Sequence, residues 1–286
     1  MKKFKKLIPA FCAMLVSAAM LGTSTYAWFS VNKKVEASGM SVTAMANTQY
    51  FVISTDSNSF AATDANKGQK KTLTSDQITQ GGLNSTGSEK TSTVYPIAYD
   101  NDTVTQGIAD KWWTANVTEY GSTAVDKITN VTSVEKTGSQ SNVYENNSYF
   151  VGYTFYVGLA DNSSDFTGYI QFAAVTPKTG NNGVKIAGVK VVGEKSDGTT
   201  NQTDWVQIED YAGAKPALKG YTSVQYKLAT AKTTQPTVAA KYLTVTVYVF
   251  IDGNADNVVD GSNDLEGVVG LEVNGRTETE YNVANA

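Results

Sequence analysis

The sequence predicts an all-β protein, a sandwich or jelly roll with long polar insertions, and three observations lead to this class. About ten segments combine β-branched or aromatic residues with apolar–polar alternation, the pattern of half-buried strands. Turn-forming residues separate these segments. The 16 tyrosines and 10 phenylalanines suit sheet surfaces, whereas helical periodicity is almost absent. Short strands spaced in this way are typical of two packed sheets.

The C-terminal half carries the most regular strand signals. Seven segments alternate as expected and lie between turns: 149–160, 167–175, 183–193, 204–208, 221–229, 241–251 and 267–274. In the sixth segment one face is entirely aliphatic, formed by Leu243, Val245, Val247, Val249 and Ile251. The opposite face carries threonines and aromatic residues. We expect the aliphatic face to line the core.

The N-terminal half alternates strand signals with polar stretches. Residues 41–46 and 49–54 predict a hairpin that turns at Asn47-Thr48. Residues 91–100 predict a strand in which Pro96 marks an edge or a bulge, because proline cannot donate to a ladder.

Two polar insertions, near 55–90 and 101–148, interrupt the predicted sandwich. Within the first, the sequence TSDQITQGG indicates one helical turn capped by Ser75 or Asp76.

The first 27 residues have the organisation of a secretory signal peptide. Four lysines precede an apolar stretch from Leu7 to Leu21, and Thr25-Tyr26-Ala27 supplies small residues at the cleavage positions. We expect cleavage between Ala27 and Trp28 and export of the rest. The apolar stretch is about 15 residues long, short of the roughly 20 that span a bilayer. The alternative is an uncleaved membrane anchor.

Directly after the expected cleavage site, residues 28–39 predict a strand and a hinge. Phe29, Val31, Val35 and Ala37 share one face, which only Lys33 interrupts, and Ser38-Gly39 ends the pattern. A strand at a freed terminus must pair with its own domain or extend the sheet of a neighbour. Residues 40–286 would then form the sandwich domain.

The stretch TSTYAWFSVNKKVEASGMSVTA resembles the start of secreted proteins of the TasA/camelysin type. This resemblance covers about residues 22–46 and implies processing by a signal peptidase of the SipW kind. It also implies a jelly-roll-like β-sandwich and head-to-tail assembly into extracellular fibres of a biofilm matrix. The partners would be further copies of the chain, and other matrix components. The subunit interface would contain Trp28, Phe29, Val31, Val35 and Ala37.

Charge and composition exclude several classes of function. The net charge is −4, and removal of the four signal-peptide lysines leaves 19 basic and 27 acidic residues, a net charge of −8. Such a chain is a poor partner for nucleic acid or anionic membranes. The single cysteine, Cys12, lies in the signal peptide, and histidine is absent. The commonest nucleophile–base pairs and zinc sites are therefore missing, and we expect no enzymatic activity.

One acidic loop has the spacing of a calcium ligand set. Asp252, Asn254, Asp256 and Asp260 occupy relative positions 1, 3, 5 and 9, and Asp264 follows. Oxygen ligands at this spacing begin an EF-hand-type loop, but position 12 is Asn263 rather than the bidentate glutamate. The alternatives are a weak Ca²⁺ site, the only cofactor that the sequence suggests, and a solvated hairpin loop.

A second class of function starts from Trp112-Trp113. Adjacent tryptophans within a polar insertion suit either a sugar-stacking platform or a cover over the core. The first interpretation would make the chain a monomeric adhesin or carbohydrate-binding module rather than a fibre subunit.

Overall fold

The computed structural model describes residues 35–36, 41–46, 51–60, 67–81, 83–84, 91–95, 97–100, 111–115, 131–133, 143–161, 163–175, 184–208, 219–230, 240–252 and 268–284. These residues form eighteen strands: β1 (Val35–Glu36), β2 (Ser41–Ala46), β3 (Phe51–Ser54), β4 (Lys70–Leu73), β5 (Ile78–Gln80), β6 (Leu83–Asn84), β7 (Thr91–Val94), β8 (Ala98–Asp100), β9 (Lys111–Ala115), β10 (Val131–Ser133), β11 (Val151–Leu159), β12 (Phe166–Val175), β13 (Val184–Lys195), β14 (Gln202–Gln207), β15 (Lys219–Tyr221), β16 (Tyr226–Leu228), β17 (Leu243–Ile251) and β18 (Val268–Arg276). A C-terminal helix, α1, spans Glu278–Ala284, and no described helix is long and apolar enough to cross a membrane.

Two sheets face each other and are joined at both sides, which confirms the all-β class. The first sheet has the order β3/β5–β11–β17–β13–β14, where β3 and β5 pair with opposite halves of β11. The second has the order β15/β16–β12–β18–β2–β4. Pairing of β13 with β16 links them at one side. At the other side Ile53 and Gly68 exchange two backbone hydrogen bonds of 2.7 and 3.0 Å.

The main core lies between the two sheets and is largely aliphatic. In β17, all five residues of the expected face, Leu243, Val245, Val247, Val249 and Ile251, are fully buried. Aromatic residues such as Phe155 and Phe172 complete the core from β11 and β12. The alternation along each strand thus directs one face inward, as the sequence predicted.

Two small three-stranded sheets accompany the sandwich. One has the order β1–β7–β6, and Val94 of β7 is buried in the main core. The other has the order β10–β9–β8 and consists mainly of the second polar insertion, which thus contributes structure rather than a bare loop.

The predicted hairpin of residues 41–54 is wrong. Both strands exist, but β2 pairs with β18 and β4, and β3 pairs with β11 in the opposite sheet. Their burial explains this: Val42 and Ala44 on one strand, and Phe51 and Ile53 on the other, contribute to the core from different sheets.

Two smaller sequence details also need correction. The short turn is a 3₁₀ helix over Ser75–Gln77, and its N-cap is Thr74, whose N–H donates to Gln77 Oε1 at 3.0 Å, rather than Ser75 or Asp76. The helix α1 was not predicted. In addition, residues 91–100, predicted as one strand with Pro96 at an edge or a bulge, form two strands, β7 and β8, in different sheets.

Candidate functional site

Of the predicted interface residues, only Val35 lies within the described part of the chain. Val35 and Glu36 form β1, which pairs antiparallel with Val94 and Thr93 of β7. Trp28, Phe29, Val31 and Ala37, and the expected cleavage position at Ala27, lie outside the described residues. The structure therefore records a ladder of two residue pairs between this segment and its own domain.

The backbone beyond Val94 cannot extend this ladder as a donor. In the observed register, residues 34, 33 and 32 would face Tyr95, Pro96 and Ile97. The Tyr95 N–H already donates to the Ser148 carbonyl at 2.8 Å, and the Ile97 N–H donates to the Ile251 carbonyl at 3.0 Å. Pro96 has no N–H. A longer antiparallel pairing within the chain would find no backbone donor over these three residues.

Residues of the predicted calcium loop lie mostly outside the described part of the chain. Asp252 is described: it follows β17, is 8% exposed and forms an ion pair of 2.7 Å with Lys185. Asn254, Asp256, Asp260 and Asp264 are not described. Within the described ranges, no group of three acidic, cysteine or histidine side chains could hold a metal. The calcium site stays a prediction, in which the cation would share Asp252 with a lysine.

Trp112 is a core residue and not a sugar platform. It lies on β9, is 5% exposed, and makes edge contacts with Phe250, Phe150 and Tyr144 at centroid distances of 4.7, 5.1 and 6.2 Å. These residues form an aromatic cluster on the outer face of the first sheet; its buried members are Ile97, Trp112, Tyr144, Phe150, Ala187, Tyr248 and Phe250. The side chain of Trp113 lies outside the description.

Asp204 on β14 is a feature that sequence reasoning missed. It shares the inward face of β14 with Val206, and the residue is only 8% exposed although it is charged. It accepts hydrogen bonds from the Trp205 N–H and from the N–H and Oγ of Ser223. The neighbouring Thr203 carbonyl accepts from Gln202 Nε2 at 3.0 Å. Among the described strands β14 pairs only with β13 and is therefore an edge strand. The hydrogen bonds above mean that side chains of β14 occupy some of the backbone groups of this edge.

Two short 3₁₀ helices lie over the outer face of the first sheet and form two walls on it. Each packs one aromatic ring against a glycine of the sheet. Phe60, in the 3₁₀ helix Ser57–Phe60, covers Gly158 so closely that a Cβ there would overlap its ring. Tyr144, in the 3₁₀ helix Val143–Glu145, covers Gly188 in the same way. Glycine is required at both positions because the rings occupy the space of a side chain.

Between these two walls lies a floor of two cross-strand rows, which we call the hydroxyl trough. One row runs through Thr79, Thr154, Thr246, Lys190 and Trp205, and the other through Tyr156, Thr244, Val192 and Thr203. Thr79 and Thr203 are exposed and the remaining floor residues are half-buried. The polar face of 241–251 was visible in the sequence, but its neighbours across the sheet were not.

Tyrosines buried in the two cores are held in the protonated form. Burial raises the pKa of Tyr153 and Tyr226 in the main core and that of Tyr248 in the aromatic cluster. The carboxylates of Asp204 and Glu145 add to this effect for Tyr226 and Tyr248, respectively, because a nearby negative charge disfavours the phenolate.

No protein-family model, curated protein or solved structure matches this chain. The functional argument therefore rests on the N-terminal motif and on the geometry described above.

Proposed function

We propose that this chain is a secreted, non-enzymatic structural subunit that polymerises head-to-tail into extracellular fibres by exchange of its N-terminal strand. The observation that supports the proposal is the backbone of β7 beyond Val94, where an extension of the β1 ladder would meet no free backbone donor at residues 95–97. The segment 29–37 has strand periodicity, interrupted on its apolar face by Lys33 alone. Its remaining residues would therefore pair with a sheet of another subunit.

The apolar face of this segment supplies the energy of such a contact. Burial of Phe29, Val31 and Val35 in a neighbour would contribute roughly 1.5–3 kcal/mol each if complete. Backbone hydrogen bonds would add direction, and a contact between two different surfaces of the same subunit propagates without closing. Removal of the signal peptide would start assembly, because the uncut precursor keeps the strand at the membrane.

The edge of β14, where side chains of the strand bond to its own backbone groups, supports assembly through one defined contact. Exposed edges invite unspecific pairing, and an inward-pointing carboxylate is one device that prevents it. With Asp204 and Gln202 occupying backbone groups beside β14, lateral pairing at this edge is disfavoured.

Electron microscopy of the purified mature protein tests the proposal. Deletion of residues 28–37 should leave a folded, β-rich monomer that forms no fibres. A matched pair of substitutions refines the test: Val31→Asp on the apolar face should abolish assembly, whereas Asn32→Asp on the polar face should leave it intact. Normal fibres from the deletion variant, or a mature chain that stays monomeric at high concentration, would contradict strand exchange.

A second candidate function, binding of carbohydrate, is favoured by the hydroxyl trough rather than by the tryptophan pair.

A further inference from the structure

We propose that the hydroxyl trough binds a neutral polysaccharide chain laid across the strands of the first sheet. The chemistry of its floor is the starting point. Thr79, Thr154 and Thr246 form a row in which neighbouring Oγ1 atoms lie 2.7 and 2.9 Å apart. Three hydroxyl oxygens carry six lone pairs, and the two bonds between them use two, so the row retains acceptors toward solvent.

Aromatic side chains lie beside this row and at its β14 end. Tyr156, which belongs to the floor, makes an edge contact with Tyr242 at 5.7 Å, and Tyr242 stacks on Phe60 at 5.3 Å. At the β14 end of the same row, Trp205 stacks with Tyr248 at 5.8 Å. A sugar ring has apolar C–H faces and a rim of hydroxyls, which match aromatic surfaces and threonine oxygens, respectively.

The charges of the walls select a neutral ligand. Lys190 pairs with Glu145 at 2.6 Å, and Lys241 pairs with Glu194. Each of these two cations is thus neutralised by a carboxylate, so among the described residues this pair of lysines leaves no excess positive charge that would attract an anionic polymer.

The dimensions and composition of the floor favour an extended sugar chain over a protein partner. From β5 to β14 the floor crosses four strand spacings, about 19 Å, and its two rows lie about 7 Å apart. Val192 is the one aliphatic residue in the two rows. The centre of a protein–protein interface is depleted in polar groups, unlike this floor. Because both walls are anchored on glycines of the sheet, the trough is formed before a ligand arrives.

Titration calorimetry with the mature protein tests this proposal, using cellohexaose and maltohexaose as neutral probes and a hyaluronan hexasaccharide as the anionic probe. At least one neutral probe should bind, and hyaluronan should bind more weakly. The double substitution Thr154→Val with Thr246→Val keeps the shape of the floor and removes two hydroxyls, so affinity should fall about tenfold. Tyr156→Ala should weaken binding by a similar factor.

Tyr169→Ala is the matched control. Tyr169 is also a half-buried tyrosine stacked on another, Tyr281 at 3.9 Å, but it lies on the second sheet, so its loss should leave affinity unchanged. The proposal is overturned if neither neutral probe binds, if hyaluronan binds equally well, or if Tyr169→Ala and Tyr156→Ala weaken binding equally. Fibre formation by the double variant, seen by microscopy, separates this result from the fate of strand exchange.

Discussion

The two faces of the first sheet are built in different ways. The inner face is a largely aliphatic layer in which residues two apart along one strand, such as Val245 and Val247, enter the same core. Among the described residues, the outer face is covered at its ends, by Phe60 at one and by the aromatic cluster around Trp112 at the other. The residues of the inner layer follow the apolar–polar alternation along each strand. The residues that cover the outer face come from parts of the chain that are far apart.

Alkaline pH should weaken both faces and is the largest perturbation that we expect. The raised pKa values of Tyr153, Tyr226 and Tyr248 mean that above about pH 10 the unfolded chain loses these protons while the folded chain keeps them. Stability is complete below that pH and falls above it, by up to about 4 kcal/mol per pH unit for three tyrosines. Thermal melting against pH measures the slope, and Tyr248→Phe should make it shallower by about one third. Ionisation of all tyrosines near pH 10 without unfolding would contradict this.

Truncation of one large residue on each face separates the two cores. Phe155→Ala in the inner layer should lower the free energy of unfolding by about 3–5 kcal/mol, because the strands around it cannot close the cavity. Trp112→Ala should lie near the lower end of that range and act locally. Hydrogen exchange should then accelerate in residues 111–115 and 143–150 while β12 and β18 stay protected. Equal acceleration in both regions would mean that the aromatic cluster and the main core unfold as one unit.

The two glycines beneath the trough walls should differ in their tolerance of a methyl group. Gly188→Ala should destabilise by about 1–3 kcal/mol, because the new Cβ meets the Tyr144 ring and lies 3.0 Å from the Val206 carbonyl. Gly158→Ala meets only the Phe60 ring among its three nearest atoms, and this ring can tilt, so a smaller loss is expected. Gly68→Ala, whose nearest neighbour would be at 3.8 Å, is the control and should change stability little. Chemical denaturation ranks the three, and a reversed order would show that the walls are not rigid.

The ion pair at the edge of the aromatic cluster should contribute least. Lys190 lies 2.6 Å from Glu145 and over the Trp205 ring at 5.1 Å, but both charged side chains keep more than a fifth of their surface exposed. Lys190→Met should therefore lower stability by about 1 kcal/mol or less. Added salt should reduce the difference between the two proteins. A salt-independent loss of several kcal/mol would indicate that packing of the lysine stem, and not its charge, supports Trp205.

How far the fold follows from the sequence depends on the range of the interactions. The strands around 149–160 and 241–251 were correctly placed because alternation is a local signal. The pairing of β2 with β18 could not be inferred, because the residues of a short strand do not specify which strand it pairs with. Proximity in the sequence wrongly favoured a hairpin of β2 with β3. The helix α1 was missed because seven residues give too few turns for a periodicity to show.

The candidate sites also differ in whether their residues are close together or far apart in the sequence. The N-terminal motif could be proposed from the sequence because a cleavage signal and strand periodicity are both contiguous, and it stays a prediction. Asp204 was not, because its partners at Ser223 lie across a link between the two sheets. The trough was also hidden: Thr154 and Thr246 become neighbours only through the register of β11 with β17.

The parallel pairing of β2 with β18 has a consequence for the timing of folding. Val42 lies opposite Val269, so a strand near the start of the domain finds its partner only when the last strand is present. Contacts of such long sequence separation slow folding, and an incomplete chain cannot close the second sheet. The second sheet therefore closes only late in synthesis, after residues 268–276 have left the ribosome.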